Sequence, residues 1–304
     1  MANQVLDRRV VTFGSAAAHG TRLGARRAEV RRVLRTIAIE LVLLVLGIGM
    51  LLPFLWLITG SVKSEAQVFA WPPVWLPSPV QWENYPKALT ILPFATFFRN
   101  TIFIAVLATA GTVVSSSLVA FAFARLRFPG RGPLFLLVLA TMMLPGIVTM
   151  IPRFILFKHL GWVDTLRPLW VPDFFGSSFS IFLLRQFFLT LPVEMDEAAR
   201  IDGASNWRIW ATIAVPLSVP AVTTVAVFAF INSWNDFMGP LIYLNSMDKR
   251  TVSLGLAAFT GIYSAEYNLM MAASVSALLP VLAVFFFAQR LFVKGIVLSG
   301  MGGR

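Results

Sequence analysis

The chain has 304 residues, of which 58% are hydrophobic and only 13% charged, and its mean hydropathy is +0.78; soluble domains carry roughly 25% charged residues. There is no cysteine, which excludes a disulfide framework, thiol catalysis and cysteine metal sites, and the two histidines, His19 and His159, are too far apart in sequence to suggest a histidine metal centre. The net charge of +11 lies largely in the N-terminal tail, where 8 of the 25 Lys/Arg precede residue 36; no basic residues interleave with aromatics, so it reads as a membrane-orientation signal and not as a nucleic-acid surface.

Residues 1–35 read as a basic N-terminal arm, disordered or lying on a surface. A removed signal peptide fits poorly, because the apolar run that follows exceeds the usual length of about 7–15 residues. The first span covers 37–58, with Glu40 close enough to its start to reach interfacial water; a proton-relay role for Glu40 is the alternative. Residues 59–99 form a long connection in which Trp71, Trp75 and Trp82 stand among Pro72, Pro73, Pro77 and Pro79. The prolines deny it regular helix, and the indoles suit a headgroup boundary. The second span lies between Arg99 and Arg125 and the third between Arg131 and Arg153, both free of charge.

The fourth span, between Arg167 and Glu194, contains Asp173 and Arg185, so part of it is expected to be broken or to line a cavity, where charge is tolerated. The fifth lies between Arg208 and Asp236 and should be kinked by Pro216 and Pro220. Residues 235–268 form a second large connection, within which 251–265 is uncharged and reads as an external or re-entrant segment. The sixth span lies between Glu266 and Arg290. The expected fold is therefore all-α and integral to a membrane: six transmembrane helices over 36–300, with a four-residue tail at 301–304. Six spans place both termini on one side. With that side cytoplasmic, it carries 17 Lys/Arg against 8 on the other, as the positive-inside rule requires.

A short polar segment, Glu194-Met195-Asp196-Glu197-Ala198-Ala199-Arg200-Ile201-Asp202-Gly203, interrupts this apolar chain and holds four of its fourteen acidic residues. By the same charge count it is cytoplasmic. Pro192 can begin a helix there, and Asp196 and Glu197 stand i,i+4 and i,i+3 from Arg200, a spacing that allows pairing along an exposed face. Met195, Ala198, Ala199 and Asp202 form a narrow i, i+3, i+4, i+7 stripe that a partner can approach closely. Gly203 can take the positive φ that ends the helix, and Ser205 or Asn206 can cap the next one. The plain alternative is a solvated loop kept out of lipid by its charges.

The run Glu197-Ala198-Ala199, Gly203 after three residues, and Ile213, Val215 and Pro216 after nine more resembles the EAA motif of bacterial ABC-importer permeases; Val215 stands where the family most often has leucine. Phe182-Leu183-Leu184-Arg185-Gln186-Phe187-Phe188, Ser233-Trp234-Asn235-Asp236-Phe237 and Gln289-Arg290-Leu291-Phe292-Val293-Lys294-Gly295 resemble the carbohydrate branch, in particular MalG-type subunits. The resemblance covers about 36–300. It implies a multi-pass protein of a prokaryotic cytoplasmic membrane that imports a di- or oligosaccharide, with glycerol phosphate as an alternative substrate. The implied partners are a second permease, ABC ATPase subunits that hold the ATP and Mg, and an extracytoplasmic solute-binding protein.

The coupling loop would span 194–210, with Glu197, Ala198, Ala199, Arg200, Asp202, Gly203 and Pro216 meeting or supporting the ATPase. Asn232, Asn235 and Asp236 are candidates for contact with sugar or with the binding protein, and otherwise are helix-end groups meeting water. Arg185 and Gln186 are expected to pair with a neighbouring helix. The chain has no Gly-x-x-x-x-Gly-Lys-Ser/Thr loop and no His-Glu-x-x-His pair, and the Gly60-Ser61 and Gly176-Ser177 pairs lack a histidine base. It is therefore expected to be neither an ATPase nor a protease, and to hold no cofactor or metal of its own. An ion-driven transporter would need intramembrane ionisable groups, for which only Glu40, Asp173 and Arg185 qualify; a scaffold is the third class.

Overall fold

The computed structural model describes residues 14–260 and 266–300, and every element among them is helical. The chain divides after Ile58. The described residues of the first unit, 14–58, all belong to one helix, α1 (Gly14–Ser61), which runs three residues past the division; its apolar side chains from Leu34 to Leu55 are exposed, as a lipid-facing span requires. Residues 14–35 of the basic arm are thus helical; residues 1–13 and 301–304 lie outside the described residues.

The second unit begins with two short helices, α2 (Glu65–Val68) and α3 (Asn84–Ile91), flanking the proline-rich stretch. Ser64 and Gln67 form a reciprocal cap on α2, and the Asn84 amide donates to the carbonyls of Ser61 and Lys63. The long helix α4 (Phe94–Arg125) starts five residues before the expected Arg99 boundary. It bears a strip of small residues, among them Ala105, Ala108, Gly111, Thr112, Ser116 and Ala120, all on its buried side. Small side chains let helices approach closely in lipid, where packing replaces the hydrophobic effect as the force between helices.

The third span is not one straight helix. α5 (Arg131–Thr141) and α6 (Gly146–His159) meet at 96°. The cause is Pro145, which disfavours helical backbone at the residue before it and itself sits at φ −59°, ψ 132° before α6. The fourth span is broken, as expected: two 3₁₀ turns, Arg167–Leu169 and Val171–Phe175, are followed by Gly176 at φ 88° and then by α7 (Ser178–Thr190). The polar segment is α8 (Val193–Ile201), bent 78° from the fourth span.

α9 (Asn206–Ile209), a π turn (Trp210–Ala214) and α10 (Val215–Leu217) lead to Ser218, after which α11 (Val219–Trp234) turns away by 84°. Pro216 and Pro220 bracket that turn, so the expected kink is a full corner. α12 (Met238–Tyr243), a 3₁₀ turn (Met247–Lys249) and α13 (Val252–Ala257) precede the last helix, α14 (Tyr267–Gly300). Among the described residues three helices are long and apolar enough to cross a membrane, and up to six spans result if each bent pair is one span. The fold is that of a multi-pass helical membrane protein.

α4 runs through two cores. Its first half packs Phe94 and Phe97 against Val252, Phe259, Leu269 and Ala272. Its second half packs Ala120, Phe121 and Phe123 with Leu184 and Phe188 of α7, with Ile209, and with Ala221 and Val225 of α11. Between them, Gly111 lies under the Phe174 ring, whose nearest atom would sit 2.5 Å from an added Cβ. Gly111→Ala should push Phe174 and its 3₁₀ turn off α4 and cost about 1–3 kcal/mol. A lower melting temperature for the detergent-solubilised protein is the check.

Candidate functional site

α8 is built by its ends. Pro192 occupies the N-cap (φ −57°, ψ 131°), one position before the first helical residue where it was expected. Glu194 and Asp196 in the first turn and Arg200 in the last complement the helix dipole. At the far end Gly203 adopts φ 77°, its N–H donates to the Arg200 carbonyl at 3.0 Å, and the Ala204 N–H donates to that of Ala199 at 2.9 Å. These two bonds are a Schellman motif, which satisfies the last carbonyls and reverses the chain. Ser205, not Asn206, caps α9, its Oγ accepting from the Arg208 N–H at 3.4 Å.

The side chains of α8 divide differently from the expected stripe. Asp196 is buried and lies 3.4 Å from Nε of Arg125, and both side chains are about 5% exposed (5% and 6%). The expected Asp196–Arg200 surface pair therefore does not form, because the end of α4 brings Arg125 under α8, and a buried carboxylate needs a cation more than an exposed one does. Glu197 and Arg200 are exposed, with no ion pair between them among the described residues. Ala199 turns inward and packs on the core shared by α4, α7 and α11. The outward face is Met195, Ala198, Ile201 and Asp202, and the next turn adds Trp207; Ile201 is 87% and Trp207 67% exposed. Pro216 belongs to the corner before α11 and not to α8.

A second feature is a cavity of about 630 Å³ bounded by α6, the 3₁₀ turns, α7, α11 and α12. Arg153, Asp173, Asn232, Ser233 and Asp236 line it, with Phe228 as an apolar wall. The cavity unites Asn232 and Asp236 but leaves out Asn235, which is exposed at the end of α11. Asp173 accepts from the Thr112 hydroxyl at 3.4 Å, and Asp236 from the Gly239 N–H at 3.0 Å. Burial pushes the Asp236 carboxyl above its ordinary range. Arg185 does not reach the cavity: it donates to the Phe123 carbonyl and lies over the Phe135 ring, pairing with neighbouring helices as expected. Among the described residues no group of three or more His, Asp or Glu could hold a metal ion.

A family model described as "Binding-protein-dependent transport system inner membrane component" matches residues 116–297, more than half of the chain, including α8 and all of the cavity lining but Thr112. The chain belongs to that family. It is 35% identical over 275 residues to the trehalose/maltose transport system permease protein MalG of Thermococcus litoralis, covering 89% of this chain and 98% of the relative. It is 32% identical over 261 residues to the diacetylchitobiose uptake system permease protein NgcG of Streptomyces coelicolor, covering 84% and 86%. A solved bacterial ABC transporter involved in the import of the acidic polysaccharide alginate has a chain that superposes with a TM-score of 0.74 at 25% identity, covering 85% of this chain and 96% of that one.

At the end of α4 remote from α8, this permease is tied by a different set of polar groups. Asp164, at φ 58°, accepts from the N–H groups of Asn245 and Ser246, each at 2.9 Å, from the Ser246 hydroxyl, and from Lys249 at 3.0 Å. The Asn100 amide of α4 donates to the carbonyls of Asp248 and Arg250 in the same loop. Hydrogen bonds from Ser246 first, then Asn245 and Lys249, hold the Asp164 carboxyl below the ordinary aspartate range. A depressed folded value contributes stability that is complete above the unfolded value and is lost as pH falls through the folded one. Asp164→Asn should therefore melt below wild type at neutral pH, and the gap should narrow below about pH 4. Melting curves across pH test this.

Proposed function

We propose that the chain is one membrane-spanning subunit of an ATP-driven importer of a di- or oligosaccharide in a prokaryotic cytoplasmic membrane. In this reading a second permease pairs with it, ABC ATPase subunits holding ATP and Mg dock on α8 from the cytoplasm, and an extracytoplasmic binding protein delivers the sugar. The relatives' names support the substrate class, since they specify trehalose/maltose and diacetylchitobiose uptake. Closure of the ATPases would carry α8 inward, and the two permeases would alternate between faces of the membrane. Both termini would lie on the cytoplasmic side with α8.

The observation that carries this reading is the shape of α8: a short exposed helix, closed by a glycine turn and offering Met195, Ala198 and Ile201 to a groove. No atom lies within 4 Å of a Cβ added at Gly203, so a substitution there acts through the backbone alone. A β-branched residue is an outlier at φ 77°, whereas Asn tolerates it. Gly203→Val should abolish sugar uptake by an inserted, assembled complex, and Gly203→Asn should retain most of it; normal uptake by Gly203→Val would defeat the coupling role. Cysteines at Ala198 and in the ATPase groove should crosslink, and their failure to do so with both shown accessible would remove the docking claim.

The cavity is then this subunit's share of the sugar path, with Asn232 and Asp236 as partners for hydroxyl groups. Each lost hydrogen bond is worth about 1 kcal/mol. Asn232→Leu should therefore raise the half-saturating sugar concentration roughly five- to tenfold while leaving maximal uptake close to wild type.

A further inference from the structure

Three arginines converge on the C-terminal end of α4, where the last carbonyls of a helix have no partner of their own. Arg185 of α7 donates to the Phe123 carbonyl at 3.3 Å. Arg131, at the start of α5, donates to the carbonyls of Ala124 and Leu126 at 3.2 and 3.3 Å. These two close the end of α4 and fasten α5 and α7 to it. Arg125 points the other way: its Nη2 donates to the Leu191 carbonyl at 2.7 Å, and its Nε faces Asp196 at 3.4 Å. It therefore grips α8 at the turn that enters it and again within its first turn.

Chain connectivity would send a displacement of α8 into α7 through the Leu191-Pro192 bend and into α11 through the Gly203 turn. Both routes are jointed, since the first bends by 78° and the second meets an 84° corner at Ser218. α4 is an unbroken helix of 32 residues that ends on Arg125. We propose that Arg125 is a positioning residue for the coupling helix, and that its contacts with Asp196 and Leu191 carry movement of α8 into α4. This rests on the importer reading above; what it adds is the route by which motion leaves α8, through a non-covalent contact with the second span.

The test uses the whole complex, both permeases with the ATPases and the binding protein, reconstituted in liposomes with a sugar that wild type transports. Arg125→Ala and Asp196→Asn should keep the Ala198→Cys crosslink to the ATPase and hydrolyse ATP within about twofold of wild type, while sugar moved per ATP falls roughly tenfold or more. The double variant should be no worse than either single one, because the two residues act as a pair. Arg125→Lys, which keeps a cation and a donor, should restore part of the loss.

Unchanged sugar per ATP in the single variants, or additive losses in the double one, would overturn the proposal. So would failure of both Asp196→Asn and Arg125→Lys to assemble, which would leave the pair a folding element only. A wild-type complex that moves no sugar with ATP defeats the importer reading itself and the inference with it.

Discussion

The ion pair between Arg125 and Asp196 constrains the rest of this structure. Two charges that are almost wholly removed from water are tolerable only together, and deleting one member of such a pair typically costs about 3–5 kcal/mol. The pair therefore holds the end of α4 against the start of α8 wherever else the chain bends. Nε of Arg125 makes no directed hydrogen bond, so this attraction is coulombic; the directed bond is the one to the Leu191 carbonyl. One guanidinium thus fixes a helix and the turn that leads into it.

The same logic repeats with other chemistry at the far end of α4. There Asn100 and Asp164 gather the backbone of 245–250, and Thr101 accepts from the Val252 N–H at 3.0 Å. Loop backbone inside or beside a membrane protein has unpaired polar groups that lipid cannot satisfy. Amide and carboxylate side chains supply the partners and tie the loop backbone to the segments beside it.

Much of this was legible from residue order. Uncharged runs bounded by charged residues located the second, third, fifth and sixth spans, and Asp173 and Arg185 marked the fourth as broken, because charge inside an apolar run must face protein or a cavity. Gly203 declared its turn by lacking a side chain. The bend at Pro145 was hidden by an apolar run that continues through it, although X-Pro after Met142-Met143-Leu144 was a local sign. The partner of Asp196 could not be found by helical spacing, which sees only neighbours on the same helix: Arg125 is 71 positions away and meets it through tertiary packing. The expected stripe of Met195, Ala198, Ala199 and Asp202 missed the outward Ile201 and Trp207 for a related reason: Ala199 turns inward onto a core built by distant helices.

α4 is anchored near both of its ends, and a helix rises about 1.5 Å and rotates about 100° per residue. Asn100 and Arg125 are thus held about 38 Å apart along the axis and at a fixed angle around it. Adding or removing a single residue between them would swing one anchor away from its partners while leaving hydropathy and length nearly untouched. The chain is consequently far stricter about the number of residues in this helix than about which apolar residues they are.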